Sequence, residues 1–139
     1  MKKLFFGLGV VLISLSVSAC GNEGATSQSS QSEALVKDIS IDEFNSLKTE
    51  APGIILDVRT PGEVAEGYVE GAVIIDITQK DFMDKVSKLD KSKPIYVYCK
   101  AGGRSANASQ KLINLGFGNV YNVLGGMDAW KAKGLSLTK

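Results

Sequence analysis

Strand-like and helical segments alternate along most of this chain, and that alternation limits its fold more than any single motif does. From residue 35 onwards, short runs rich in β-branched residues are separated by segments with apolar residues at helical spacing. This order favours a three-layer α/β domain with a mostly parallel central sheet of about five strands. The 139 residues are enough for one such domain.

The predicted elements have recognisable boundaries. Strands are predicted at 35–39, 53–58, 72–75, 94–98 and 120–123. Helices are predicted to begin at Ser40 and to cover 60–67, 80–89, 103–115 and 126–133. Ser40 and Thr60 each stand three residues before a glutamate, which is the pattern of a capping box at a helix start. Glycines 67, 116 and 134 follow three of the helical segments and indicate where those segments end.

The N-terminal segment differs from the rest of the chain. Two lysines precede an apolar stretch over 4–19, and small residues lead up to Cys20. This pattern resembles the lipobox of bacterial lipoproteins, which implies cleavage before Cys20, attachment of lipid to its sulfur and anchoring on the extracytoplasmic face of the cell membrane or outer membrane. Two alternatives remain: an uncleaved anchor, for which 16 residues are short, and a soluble secreted form. The predicted organisation is a signal peptide over 1–19, a flexible Gly/Ser/Gln-rich tether over 20–34 and a folded domain over 35–139.

Composition excludes several classes of function. The chain has 16 basic and 15 acidic residues, so nothing indicates a nucleic-acid partner. It contains no histidine, which removes Cys–His and Ser–His nucleophilic sites and histidine-based metal sites. No metal and no cofactor is expected. If Cys20 is acylated, Cys99 is the only remaining thiol and no intramolecular disulfide can form.

The run from Tyr96 to Ser105 is the strongest indication of chemistry. A buried strand ends at Cys99, and a glycine-containing loop with Lys100 and Arg104 then opens a helix. Backbone N–H groups, a helix N-terminus and two cations favour a thiolate. We therefore expect Cys99 to be a nucleophile that is activated without a neighbouring base.

The residues after Cys99 are predicted to bind the sulfur and an anionic substrate. They are Lys100, Ala101, Gly102, Gly103, Arg104 and Ser105. The glycines allow the backbone to approach the sulfur closely, and the two cations would attract an anion. Ser105 is either a residue of the first helical turn or a hydroxyl donor to the sulfur. Asp57 and Arg59, at the end of the second predicted strand, form a structural ion pair or contact the substrate. Glu63 is interpreted as a capping residue.

Four segments in order resemble the rhodanese family of sulfurtransferases in its single-domain form. They are LDVRTPGE at 56–63, EGYVEGA at 66–72, YCKAGGRS at 98–105 and GGMDAW at 125–130, followed by Gly134. Tyr68 stands where the family usually has histidine, and Val64 where it usually has an aromatic residue. Both positions are expected to affect packing rather than chemistry.

The resemblance implies a thiosulfate sulfurtransferase. The thiolate of Cys99 would take the outer sulfur of a small anionic donor such as thiosulfate and form a persulfide. Cyanide or a thiol would then accept that sulfur. Two alternatives are a thiol-relay protein that exchanges persulfide sulfur with a protein partner, and a non-catalytic binding module. A phosphatase of the related Cdc25-like class is disfavoured, because four residues separate Cys99 from Arg104 where those phosphatases have five.

Overall fold

The computed structural model describes residues 34–139, which form five strands and five helices in strict alternation. The strands are β1 (Val36–Ile39), β2 (Ile54–Asp57), β3 (Val73–Ile74), β4 (Ile95–Tyr98) and β5 (Val120–Val123). The helices are α1 (Ile41–Glu50), α2 (Pro61–Val64), α3 (Phe82–Ser87), α4 (Gly103–Asn114) and α5 (Gly126–Ala132).

The strands form one parallel sheet in the order β1-β5-β4-β2-β3. β4 occupies the centre, where Leu56 of β2 lies opposite Val97 and Val120 of β5 lies opposite Ile95. All four residues of β4 are buried, because helices cover both faces of the sheet. The predicted α/β fold with a parallel five-stranded sheet is confirmed.

Two apolar clusters lie on opposite faces of the sheet. One packs Val97 and Cys99 against α3 and α4, including Val86 and Leu112. The other packs the β4 tyrosines against α1 and α5, and its members are Phe44, Tyr96, Tyr98, Met127 and Trp130, with others. Alternate residues of β4 therefore point to opposite layers. Cys99 continues this alternation, which directs its side chain towards α4.

Several predicted elements are longer than the observed ones. β3 contains two residues because, at the edge of the sheet, it pairs only with β2, through Val73 and Ile74. α3 begins two residues later and ends two residues earlier than the predicted 80–89. α2 ends at Val64, and tight turns then carry the chain to Gly67, whose amide donates to the Val64 carbonyl.

No helix within residues 34–139 combines the length and the apolarity needed to cross a bilayer. The predicted signal peptide over 1–19, Cys20 and the predicted tether up to residue 33 lie outside the described residues.

Candidate active site

The predicted site residues lie at the carboxyl edge of the sheet, where the strands end. Because all strands are parallel, the loops that follow them leave from the same edge. These loops cover 58–60, 75–81, 99–102 and 124–125. Cys99 lies at the centre of this edge, at the end of β4, and its neighbours there are the segments after β2 and β5.

The loop after β4 folds around the sulfur of Cys99. The residue Cys99 is 1% exposed, and the backbone N–H of Gly102 donates to Sγ over 3.0 Å. Gly102 has φ +111°, a left-handed conformation that permits this turn and that side chains other than glycine rarely adopt. The backbone thus brings N–H groups to the sulfur at the start of α4, as the sequence predicts for this loop.

Ionisation of Cys99 is favoured by these donors. Burial opposes it and is the largest single influence. Hydrogen bonds from the hydroxyl and amide of Ser105 and from the amides of Gly102 and Ala101 together outweigh burial, and they lower the pKa of the thiol below its ordinary value. The Ser105 hydroxyl donates its one proton to the Gly102 carbonyl oxygen over 3.0 Å. When Cys99 ionises, the same proton can turn to the thiolate instead. Ser105 is both a first-turn residue of α4 and a donor at the site.

α5 supports the loop from behind. The amides of Met127 and Asp128 donate to the carbonyls of Cys99 and Lys100 over 2.8 and 2.9 Å. With its carbonyls bound to α5, the loop keeps its amides directed towards the sulfur. Gly126 has φ +51°, and a Cβ there would overlap the Cys99 carbonyl oxygen and lie 2.8 Å from that of Lys100. The glycine at this position is therefore required by the close approach of α5 to the loop.

Asp57 and Arg59 form a buried ion pair beside β4. Arg59 is 2% exposed, and its Nε lies 2.9 and 3.0 Å from the two carboxylate oxygens of Asp57. The hydroxyl of Tyr98 donates to Asp57 Oδ2 over 2.7 Å and accepts from the amide of Val69. Burial and the Asp57 carboxylate raise the pKa of Tyr98, which keeps the phenol neutral. Of the two roles predicted for Asp57 and Arg59, the geometry corresponds to the structural one.

Arg59 also fixes the position of α2. Its Nη1 donates to the carbonyl oxygen of Glu63 over 3.1 Å, and its Nη2 donates to that of Gly67 over 2.8 Å. One guanidinium thus holds the carbonyl of Glu63, near the end of α2, and that of Gly67, where the following turns end. The side chain of Glu63 reaches the segment around the sulfur (residues 99–104, the active loop) through Arg104.

Glu63 holds Arg104 with both carboxylate oxygens. The distances from Nη1 and Nη2 of Arg104 are 2.7 and 2.6 Å. The same carboxylate accepts from the amide and hydroxyl of Thr60. The hydrogen bond from Arg104, the larger favourable influence, and those from Thr60 lower the pKa of Glu63 to about 2. Glu63 therefore does more than cap α2, the single role that the sequence indicates.

The two loop cations differ in their surroundings. Arg104 is partly buried and bound to Glu63. Lys100 is exposed and takes part in none of the ion pairs found among residues 34–139. Sequence alone places the two residues in equivalent roles.

Comparison with known proteins places this arrangement in a family. The profile of the rhodanese-like domain matches residues 40–133, which include every strand but β1 and the whole loop around Cys99. The chain belongs to the rhodanese-like domain family. Its predicted membership in that family is thereby confirmed.

Individual rhodanese-like relatives agree with this assignment. A sulfurtransferase of Allochromatium vinosum is 32% identical over 84 residues, covering 60% of this chain and 77% of the relative. Thiosulfate sulfurtransferase 16 of Arabidopsis thaliana, a chloroplast protein, is 37% identical over 90 residues, covering 58% and 75%. The crystal structure of a rhodanese-like domain protein from Staphylococcus aureus superposes with a TM-score of 0.64 at 35% identity, covering 74% of this chain and 99% of that one. These relatives support a sulfurtransferase of the rhodanese type.

Two parts of the rhodanese-like site have roles that the sequence alone does not predict. Glu63 lies 41 positions from Arg104, and its capping pattern already accounts for its presence. The glycine pair 125–126 is visible as part of a family segment, but its contact with the loop is not. The only available signal is that two consecutive glycines open a helix directly after a strand, which indicates an unusually close backbone approach.

Proposed function

We propose that this protein transfers sulfane sulfur from thiosulfate to a thiophilic acceptor through a persulfide on Cys99. In the first step the Cys99 thiolate attacks the outer sulfur of thiosulfate, and the sulfur–sulfur bond of the donor breaks. Sulfite leaves with the electron pair of that bond, and Cys99–S–S⁻ remains. In the second step cyanide or a thiolate attacks the outer sulfur, and the Cys99 thiolate is released.

The observation that carries the proposal is the set of donors around Cys99 Sγ. The amide of Gly102 lies 3.0 Å away, and the amides of Ala101 and Ser105 and the hydroxyl of Ser105 also stabilise the anion. A persulfide extends one sulfur further and carries its charge on the outer atom. A ring of amides at the start of a helix suits that anion as well as it suits the thiolate.

Steady-state kinetics test the proposal. Thiocyanate formation from thiosulfate and cyanide should follow ping-pong kinetics, because the first product leaves before the acceptor binds. Cys99→Ser should abolish turnover, whereas Ser87→Ala, on the exposed side of α3, should leave it unchanged. Intersecting rather than parallel double-reciprocal lines would contradict a persulfide intermediate. Full activity of Cys99→Ser would contradict the role of Cys99.

We further propose that the protein acts at a membrane surface, attached by lipid at Cys20. The support is the N-terminal pattern: a basic start, an apolar stretch over 4–19 and small residues before the cysteine. Labelling bacterial cells that express the chain with a palmitate analogue should mark the protein and place it in the membrane fraction. Cys20→Ala should lose the label. Label retained by Cys20→Ala would show that the lipid site is elsewhere.

A further inference from the structure

One carboxylate binds Arg104, the second residue of α4, and another acts on its charge without contact. Glu63 binds both of its terminal nitrogens, and Asp76, at the carboxyl edge after β3, contributes a second negative charge. Asp76 is itself held in place by hydrogen bonds from Thr78 and Gln79. The charge of Arg104 is thus compensated before any substrate arrives.

Lys100 has different surroundings. Its side chain is exposed, and it lines a cavity of about 60 Å³ next to the loop together with Glu63 and Asp128. The other cations of that cavity already have carboxylate partners: Arg59 pairs with Asp57, and Lys131 pairs with Glu66. Lys100 is therefore the one cation of this cavity that has no carboxylate partner among the ion pairs of residues 34–139.

We propose that Glu63 sets the charge of the active loop: by binding both terminal nitrogens of Arg104 it withdraws that guanidinium from the donor, so that Lys100 supplies the positive charge that an anionic donor meets. This inference rests on the proposed function, because it concerns the recognition of the sulfur donor. Glu63 is in this account a positioning residue, which acts on the donor only through Arg104. Lys100 is the specificity-determining residue.

The position of Glu63 is itself built into the fold. Its backbone carbonyl is fixed by the buried Arg59, and its carboxylate is held by Thr60 as well as by Arg104. A bidentate pair between a guanidinium and a carboxylate is geometrically specific. Arg104 would have to break two short hydrogen bonds in order to reach a donor.

The test measures the electrostatic field at Cys99 without sulfur transfer. Iodoacetate and iodoacetamide alkylate the same thiolate, but only iodoacetate carries a negative charge. The rate constant for iodoacetate divided by that for iodoacetamide therefore reports the local charge, and a higher ratio means a more positive site. The full chain is used, and alkylation is followed by mass spectrometry on the peptide that contains Cys99. Lys100→Gln should lower the ratio about three- to fivefold, the effect of one charge a few ångströms away in a partly hydrated site. Lys111→Gln, on α4 away from the loop, is the matched control.

Glu63→Gln should move the same ratio in the opposite direction. Removing the carboxylate frees the charge of Arg104, so the ratio should rise about threefold. The rise should disappear in the double variant Glu63→Gln/Arg104→Gln, because the effect acts through Arg104. Glu43→Gln removes an equivalent capping carboxylate at α1 and should leave the ratio unchanged. A merely structural role of Glu63 would not raise the ratio.

The persulfide-forming step separates this inference from the proposed function. With thiosulfate as donor, Lys100→Gln should lower the second-order rate constant about tenfold, since the donor carries two charges. An unchanged alkylation ratio in Lys100→Gln, or a ratio that falls or stays constant in Glu63→Gln, would overturn the inference even if sulfur transfer is normal. Absence of transfer from thiosulfate with the expected ratios would instead overturn thiosulfate as donor and leave the charge assignment standing.

Discussion

Helices α1 and α2 begin with the same sequence pattern and have different consequences. At α1, Glu43 and Ser40 bind each other through the amide and hydroxyl of Ser40 and the amide of Glu43, on an exposed surface. At α2, Glu63 binds the amide and hydroxyl of Thr60 in the same way, but its carboxylate also binds Arg104. One capping glutamate serves its own helix, and the other serves its helix and the active loop.

The difference comes from where the two helices lie. α2 follows β2 at the carboxyl edge of the sheet, next to the loop after β4. α1 follows β1, which is an outermost strand of the sheet and is separated from β4 by β5. A local motif therefore fixes where a helix begins, while its position in the sheet decides whether the capping side chain has a second partner. The following predictions test how far the loop depends on α2, and on its other support, α5.

The largest expected effect concerns α5 rather than α2. Gly126→Ala would push a methyl group into the carbonyl oxygens of Cys99 and Lys100, so the loop must shift away from the sulfur. We expect sulfurtransferase activity to fall about 100-fold, as small displacements of a reacting group can cause. Gly62→Ala on α2 is the control, since a Cβ there meets nothing within 4 Å. Equal activities of the two variants would show that α5 does not support the loop.

Stability distinguishes the two capping glutamates directly. Glu63→Gln should reduce the free energy of unfolding by about 1–2 kcal/mol, because it weakens a partly exposed bidentate ion pair. Glu43→Gln should have a smaller effect, since its partners are confined to Ser40. Urea unfolding followed by circular dichroism measures both. A larger loss of unfolding free energy in Glu43→Gln than in Glu63→Gln would contradict the second role of Glu63.

The pH dependence of stability should also single out Glu63. Its pKa is about 2 in the folded chain against an ordinary 4.5, so its contribution is fully present above pH 4.5 and is lost as the pH falls towards 2. Wild type should therefore lose more stability over this range than Glu63→Gln does. Unfolding midpoints measured across the range give the difference. Parallel pH profiles for the two proteins would contradict the assignment.

The smallest effect is expected at Ser105. Ser105→Ala removes a hydroxyl that lowers the pKa of Cys99, so the midpoint of the alkylation rate against pH should move upward. At neutral pH the rate with iodoacetamide should fall about three- to tenfold. Ser109→Ala, a buried serine one turn further along α4, controls for the loss of a hydroxyl in that helix. An unchanged midpoint would assign thiolate stabilisation to the backbone alone.

Much of the fold follows from the sequence because its signals are local. β-branched runs predict all five strands, and apolar residues at helical spacing, together with capping residues and helix-ending glycines, predict the helices between them. Errors are confined to ends, as at β3, where an edge position rather than composition decides the length. The strand order β1-β5-β4-β2-β3 is not contained in any local signal, since it results from how the helices cover the two faces.

The site is only partly predictable for the same reason. The strand, loop and helix around Cys99 are contiguous in sequence, so its donors are anticipated. The partner of Arg104 is 41 residues away, and the amides that bind the loop carbonyls belong to α5. The sequence therefore indicates two equivalent loop cations, whereas in the folded chain the positive charge of Arg104 is paired with the carboxylate of Glu63. Long-range contacts of this kind can be identified only from the tertiary structure, which brings the loops at the carboxyl edge of the sheet together.

The most direct test of the account is the mass of the protein after incubation with thiosulfate. The chain, reduced and then freed of reductant, should gain the mass of one sulfur atom on the peptide that carries Cys99, and cyanide should remove it with release of thiocyanate. Cys99→Ser should gain nothing. A wild-type protein that alkylates readily at Cys99 and yet gains no sulfur would contradict transfer from thiosulfate, and would favour a protein partner as the sulfur donor.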